Sequence, residues 1–161
     1  MSKKENIFEN WGYPNTVWFG NGRIKDLPKA CKTLDIKKPL FVTDTDLAKT
    51  KIVEKAFEIN KRANLPTILF SDLKGNPLGS NVKKGVEFFK NGNHDGVIAF
   101  GGGSSLDVGK SIVLQAALNR PLWDFTEEGL FWTENDYVEC MAQNRITNLN
   151  NIKPFIAVPT T

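Results

Sequence analysis

The stretch VIAFGGGSSLDVGKS, residues Val97 to Ser111, decides how the rest of the chain is read. An apolar run ends at Phe100, and Gly101, Gly102 and Gly103 follow it. Beyond them Leu106, Val108, Ile112, Val113, Ala116 and Ala117 recur at helical spacing, which marks Ser105 to Leu118 as a helix. A strand that passes through bare glycines into a helix exposes unpaired N–H groups at the positive end of the helix dipole, and a phosphate can approach that main chain closely. Two phosphate-binding patterns compete here. The triphosphate loop requires Gly-x-x-x-x-Gly-Lys-Ser/Thr. Gly109-Lys110-Ser111 supplies its end, but Ser104 stands where the first glycine belongs, and Lys110 falls in mid-helix. That match is therefore set aside. The dinucleotide pattern Gly-x-Gly-x-x-Gly is half met, by Gly101 and Gly103, with Leu106 in the third place. Ser104 and Asp107 also form a Ser-x-x-Asp pair that resembles a capping box; capping and ligand contact are compatible.

Outward from this turn, short apolar runs alternate with helical patterns. Residues 39–43, 66–70, 96–100 and 154–158 suit strands buried on both faces of a parallel sheet. Helical spacing over Leu47–Ala63 and Asn81–Lys90 fills two of the gaps, and an earlier helix is expected over Ile24–Leu34, with Pro28 in its first turn. This order implies an α/β fold, a Rossmann-like parallel sheet flanked by helices, as one domain over residues 1–161. Two regions depart from the rhythm. Residues 15–22, NTVWFGNG, read as an N-terminal strand entering a tight Asn-Gly turn; with Trp18 and Phe19 exposed, the strand could pack on its own sheet or pair with a second subunit. Residues 121–153 are a long excursion with a short helix expected around Asn135–Asn144, read as surface or as a cover for a ligand.

Composition narrows the function. The net charge of +3 is small and scattered, so pairs such as Lys37-Lys38 and Lys83-Lys84 read as solvated surface, and no nucleic-acid partner is expected. No run approaches the roughly 20 apolar residues that a membrane span needs, and MSKKENIFENWGY lacks the core of a signal peptide. Cys31 and Cys140 lie far apart and read as reduced thiols of a cytoplasmic protein. His94 is the sole histidine, in the polar run KNGNHDG, and reads as an exposed loop residue. With no His/Cys cluster, the chain has no conventional transition-metal site of its own.

Taken whole, GGGSSLDVGK, Gly101 to Lys110, resembles the Gly-Gly-Gly-Ser-x-x-Asp-x-x-Lys signature of the iron-containing alcohol dehydrogenase family. Other stretches resemble the family in the same order: TVWFGNG its opening strand and turn, PLFVTDTDL its next strand with an aspartate at the tip, Gly75-Asn76-Pro77 its Asn-Pro loop, and FIAVPTT its strand ending in Pro-Thr-Thr. Only Leu122 to Lys153 is weakly matched.

The resemblance implies an NAD-binding domain of an NAD-linked alcohol/aldehyde oxidoreductase. Asp44 would accept hydrogen bonds from the adenosine ribose and repel a 2′-phosphate, favouring NAD over NADP; alternatively Asp44 or Asp46 only caps the helix from Leu47. Gly101, Gly102, Gly103 and Ser104 would hold the pyrophosphate, and Asp107 would face the nicotinamide side. Asn76 would border the cofactor unless its loop is only a turn, and Thr160 and Thr161 would contact the adenine or pyrophosphate side. Lys110 would pair with Asp107 or stay in solvent, although its place in the signature leaves a role open. The family also has a second, helical domain that binds Fe²⁺ or Zn²⁺. Residues 1–161 hold the cofactor half without that metal half, so catalysis by this chain alone is not expected. A stand-alone nucleotide-binding or dimerisation module is the other reading.

Overall fold

The computed structural model describes residues 8–12, 15–126 and 151–160. A first antiparallel pair, β1 (Phe8–Gly12) and β2 (Thr16–Gly20), stands apart from the main sheet. Then come α1 (Leu27–Thr33), β3 (Pro39–Val42), α2 (Lys51–Arg62), β4 (Ile68–Phe70), α3 (Gly79–Asn91), β5 (Gly96–Gly101), α4 (Gly103–Leu118) and β6 (Phe155–Pro159). The main sheet has the order β4-β3-β5-β6, and all its pairs are parallel.

The pleat sorts the apolar residues onto two faces. Leu40, Val42, Val97 and Ala99 pack under α3 and α4 with Val82, Val86, Phe89, Val108, Ile112 and Val113. Phe41, Ile98 and Phe100 point the other way, onto Leu27, Cys31, Val53 and Ala56 of α1 and α2. Every residue of β3 and β5 is buried, as their unbroken apolar runs require. The outer strands differ from expectation. In β4, Ile68 and Leu69 remain 41% and 37% exposed, and β6 is only half-buried, because each is an edge strand paired on one side only.

Three further expectations are refined. The first helix is a tight 3₁₀ turn, Arg23–Asp26, followed by α1, with Pro28 in the first turn where its missing N–H loses no bond. The 47–63 segment breaks at Thr50, whose extended backbone separates a 3₁₀ turn, Leu47–Lys49, from α2. The N-terminal hairpin closes between β1 and β2; the Asn21-Gly22 turn instead leads out of β2 toward α1. Phe19 is 54% exposed as expected, but Trp18 is half-buried, with Arg23 5.2 Å and Lys29 5.6 Å from its ring centroid. The 121–153 excursion opens with a 3₁₀ turn, Leu122–Phe125; the helix expected at 135–144 and Cys140 lie outside the described residues. No helix among the described residues is long and apolar enough to cross a membrane.

His94 is a correction. It is 5% exposed, stacked on Phe88 and tilted against Phe89, and its Nδ1 donates to the Lys38 carbonyl at 3.0 Å. The polar run around it hides the fact that the ring closes the base of the core between α3 and β5. Beside it, the Asp95 carboxylate accepts from the backbone N–H of Lys37 and of Lys38, both at 2.8 Å, and ties the starts of β3 and β5 together. The Cys31 thiol is buried and pushed up to about 12, chiefly by burial, so it stays protonated and inert.

The glycine of the false triphosphate match is also explained. A β-carbon at Gly109 would come within 2.7 Å of the Ala99 Cβ, so α4 lies directly on β5 at this point. Lys110 is exposed on the opposite side, 3.3 Å from Asp107.

Two outcomes follow. Gly109→Ala should destabilise the fold by about 1–3 kcal/mol in urea unfolding through overpacking, whereas Lys110→Ala should stay within about 0.5 kcal/mol. Burial, only partly offset by the Lys38 carbonyl, holds His94 below its ordinary range. The unfolded chain therefore takes up a proton first as pH falls below about 6.5, and stability drops from there until the folded pKa is passed. His94→Asn should lower stability at neutral pH and flatten its change between about pH 7 and 5.5; an equally steep slope would remove His94 as the cause.

Candidate functional site

The strand order creates one special position. β3 sends its chain to α2 and outward to β4, whereas β5 sends its chain to α4 on the other face and on to β6. The two central strands thus part at their carboxyl ends and leave a crevice where a parallel α/β sheet admits a ligand. Asp44 follows β3 on one side of it, and Gly101 to Ser104 follow β5 on the other.

The glycines have different reasons to be glycine. Gly101 has φ +142°, and a β-carbon there would meet Ser105 Oγ at 2.7 Å and Leu47 Cδ2 at 3.2 Å, so both backbone and packing exclude a side chain. Gly102 has an ordinary extended backbone, φ −77° and ψ −176°, and a β-carbon on Gly102 or Gly103 would have no atom within 4 Å. Nothing in the protein's own packing requires glycine at either position. Above both is open space, the arrangement that lets a large anion lie against the main chain.

Several main-chain donors at this corner are unmatched among the described residues. The Gly102 carbonyl accepts from Ser105 N and Leu106 N, at 3.1 and 3.2 Å, which closes the first turn of α4. The N–H groups of Gly102, Gly103 and Ser104 meet no backbone acceptor among the described residues. The expected Ser104–Asp107 capping pair does not form. The helix begins at Gly103 with Gly102 as its cap residue and no side-chain cap, so Ser104 sits already inside the first turn and cannot reach back. Asp107, exposed one turn further on, pairs instead with Lys110. At these exposures that pair contributes little stability.

Across the crevice, Asp44 Oδ1 accepts from Leu47 N at 2.8 Å and Asp46 N at 3.1 Å, so the capping alternative is realised with one oxygen. Its Oδ2 has no hydrogen-bond partner among the described residues. Asn76 is exposed in a left-handed turn, φ 54°, between β4 and α3. Thr160, exposed at the end of β6, donates its N–H to the Gly101 carbonyl at 3.1 Å and so brings the Pro-Thr-Thr strand to the glycine turn. Thr161 lies outside the described residues.

Sequence reading missed the residues that brace this edge. Thr45 locks the loop after β3 to the loop after β4: its N–H donates to the Leu73 carbonyl at 3.0 Å, and its hydroxyl reaches the Ser71 and Leu73 carbonyls. Asn81 folds the Asn76 loop onto α3, accepting from Leu78 N at 2.8 Å and donating to the Asp72 carbonyl at 2.7 Å. Asn81, three residues into the α3 region, was readable as a helix-start signal. Thr45 carried none. Thr43, fully buried, holds a hydroxyl oxygen with no partner one residue before Asp44.

The described concavities lie elsewhere. One of about 480 Å³ runs beside α2, lined by Lys25, Lys51, Glu54, Lys55, Ile59 and Arg62. Another, of about 240 Å³, lies beside His94 at the opposite edge of the sheet. The first is a furrow between flexible charged side chains, and neither carries the free main-chain donors of the glycine corner, so topology and unmatched N–H groups outweigh volume here. Among the described residues, no group of three or more His, Cys, Asp or Glu side chains could hold a metal.

The sequence profile described as "Iron-containing alcohol dehydrogenase" matches residues 14–161. The choline dehydrogenase of Bacillus subtilis (strain 168) is 30% identical over 154 residues, which cover 96% of this chain and 35% of that protein. The NAD-dependent methanol dehydrogenase of Bacillus methanolicus is 34% identical over 133 residues, 83% of this chain and 34% of the relative. Among solved structures, that of a 1,3-propanediol oxidoreductase superposes with a TM-score of 0.66 at 30% identity, covering 89% of this chain and 33% of that one. The chain thus spans about a third of the length of these relatives.

Substitutions at the corner separate its glycines. Gly102→Val and Gly103→Val should leave stability within about 1 kcal/mol, since neither side chain meets a neighbour, yet should reduce calorimetric binding of a dinucleotide by tenfold or more in order of magnitude, about 1.4 kcal/mol. Gly101→Val should destabilise the fold itself. Unchanged dinucleotide binding in both of the first two variants would remove the corner as a ligand site.

Proposed function

Because the chain belongs to the iron-containing alcohol dehydrogenase family, we propose that it is the NAD-binding part of an enzyme that interconverts an alcohol and its aldehyde or ketone. The observation that carries this reading is the bare, donor-rich start of α4 at the point where the sheet's connections diverge. A pyrophosphate resting there accepts from the N–H groups of Gly102, Gly103 and Ser104 and gains from the helix dipole. Gly101 supplies the sharp exit from β5 that turns those groups outward.

Asp44 is the ribose-binding residue in this reading. With Oδ1 engaged by its own turn, Oδ2 is left to accept from a ribose hydroxyl, and the carboxylate charge opposes a 2′-phosphate. Asn76 borders the cofactor from the loop after β4. Thr160 and Thr161 contact its adenine or pyrophosphate side, and Asp107 flanks the nicotinamide side from the exposed face of α4. NAD, when bound, supplies the hydride acceptor or donor. In the family reading Fe²⁺ or Zn²⁺ belongs to the complete enzyme; the described residues of this chain offer no fitting donor set, and no step is derived through a metal. The chain's own contribution in this reading is to bind and orient the dinucleotide. The reading also makes the protein cytoplasmic, in keeping with the inert, reduced Cys31. The exposed Val17 and Phe19 on a two-stranded ribbon favour a homodimer formed through the N-terminal strands.

Asp44→Asn preserves an oxygen acceptor for the Asp46 and Leu47 N–H groups while removing the charge. NAD affinity should fall by about tenfold, as expected for loss of a charge-assisted hydrogen bond, and the preference for NAD over NADP should narrow by a similar factor. An unchanged NAD/NADP ratio would make Asp44 a cap alone. Absence of NAD binding to the unmodified chain at concentrations to about 1 mM would favour a purely structural module.

A further inference from the structure

The chain contains two Asn-Gly pairs, Asn21-Gly22 and Asn91-Gly92, and the fold treats them oppositely. Asn21 and Gly22 are both exposed in the turn between β2 and the 3₁₀ turn Arg23–Asp26. Gly22 has φ +75°, and its N–H has no acceptor among the described residues. The nearest atom to a β-carbon placed there is Lys25 Cε at 3.9 Å, so the turn at Gly22 is uncrowded. Gly92, by contrast, donates its N–H to the Phe88 carbonyl at 3.0 Å, and its own carbonyl accepts from Lys38 Nζ at 2.6 Å. A β-carbon at Gly92 would collide with the buried His94 ring. Two neighbouring sequences offer no competing reaction: Asn76 precedes proline, which has no N–H, and the Asp95 carboxylate before Gly96 is held by Lys37 N and Lys38 N.

We propose that Asn21-Gly22 is a self-modification site, at which the Gly22 amide nitrogen attacks the side-chain amide carbon of Asn21. The Gly22 N–H gives its proton to hydroxide or another base as a new nitrogen–carbon bond closes a five-membered succinimide. The bond from that carbon to the side-chain nitrogen breaks, and ammonia leaves with a proton taken from solvent. Water then opens the ring at either carbonyl, giving aspartate or its isomer in which the main chain runs through the side-chain carbon. No oxidant, metal or cofactor takes part. Either product places a carboxylate beside Arg23 and Lys25, and the isomer lengthens the main chain just before the residue whose guanidinium covers Trp18. The modification thus acts on the joint between the β1–β2 ribbon and the body of the domain.

The full 161-residue chain, held folded in mildly alkaline buffer and sampled by peptide mass spectrometry, tests this directly. The Asn21 fragment should show the replacement of NH₂ by OH about tenfold faster than the Asn91 fragment, because attack at Asn91 first requires release of a backbone hydrogen bond worth about 1.4 kcal/mol. In denaturant the two rates should approach each other, since both asparagines are followed by glycine, whose nitrogen makes the attack, and the fold no longer separates them. Asn21→Gln should abolish fast conversion in its own fragment and leave the Asn91 fragment unchanged. Equal rates in the folded chain, faster conversion at Asn91, or a gap that persists in denaturant would overturn the proposal.

Discussion

Where α4 crosses β5, Gly109 lies against Ala99 with no room for another methyl group. The rest of the candidate site depends on that contact. It sets how close the helix axis comes to the sheet, and hence where its first turn stands relative to the end of β5. With Gly101 forced into a conformation that only glycine adopts readily, the helix starts immediately above the strand, and its unpaired N–H groups face the crevice instead of the core. In the dinucleotide pattern the third glycine serves close helix–strand packing. Here that service is rendered three residues later, at Gly109, which is why Leu106 can occupy the pattern's third place without loss of the geometry.

The site is asymmetric in what holds it. On the β5 side the corner is mostly main chain, and Gly102 and Gly103 carry no side chain beneath the open space. On the β3 side, Asp44 is occupied at one oxygen by its own turn, and Thr45 bolts two loops together. A corner braced by these hydrogen bonds would lose less conformational entropy on binding a ligand than an unbraced loop.

The sequence announced the central strands, because unbroken apolar runs such as 39–43 and 96–100 fit only full burial. It also announced α2, α3 and α4 by their spacing. It could not separate central from edge strands, since 66–70 is as apolar as its neighbours and only the strand order leaves Ile68 and Leu69 uncovered. Polar context misled at His94, whose burial depends on Phe88 and Phe89 meeting it from an adjacent helix end. Ser104 looked like a cap because spacing reports distance along the chain and says nothing of whether the helix has already begun. The passage from β5 through glycines into α4 was legible; the separate surroundings of Gly101, Gly102 and Gly109 were not, because each is set by a neighbour distant in sequence or by having none.

The Asp95 carboxylate grips consecutive amides at the start of β3 while standing next to the first residue of β5. That grip calibrates the sheet from below. A parallel pair that slips by one step turns each inward side chain outward, and it would also carry Asp44 past the glycine corner by about 3.3 Å. The span between the two walls of the crevice is therefore gauged at the far end of the strands, by an anchor that never meets whatever the crevice receives.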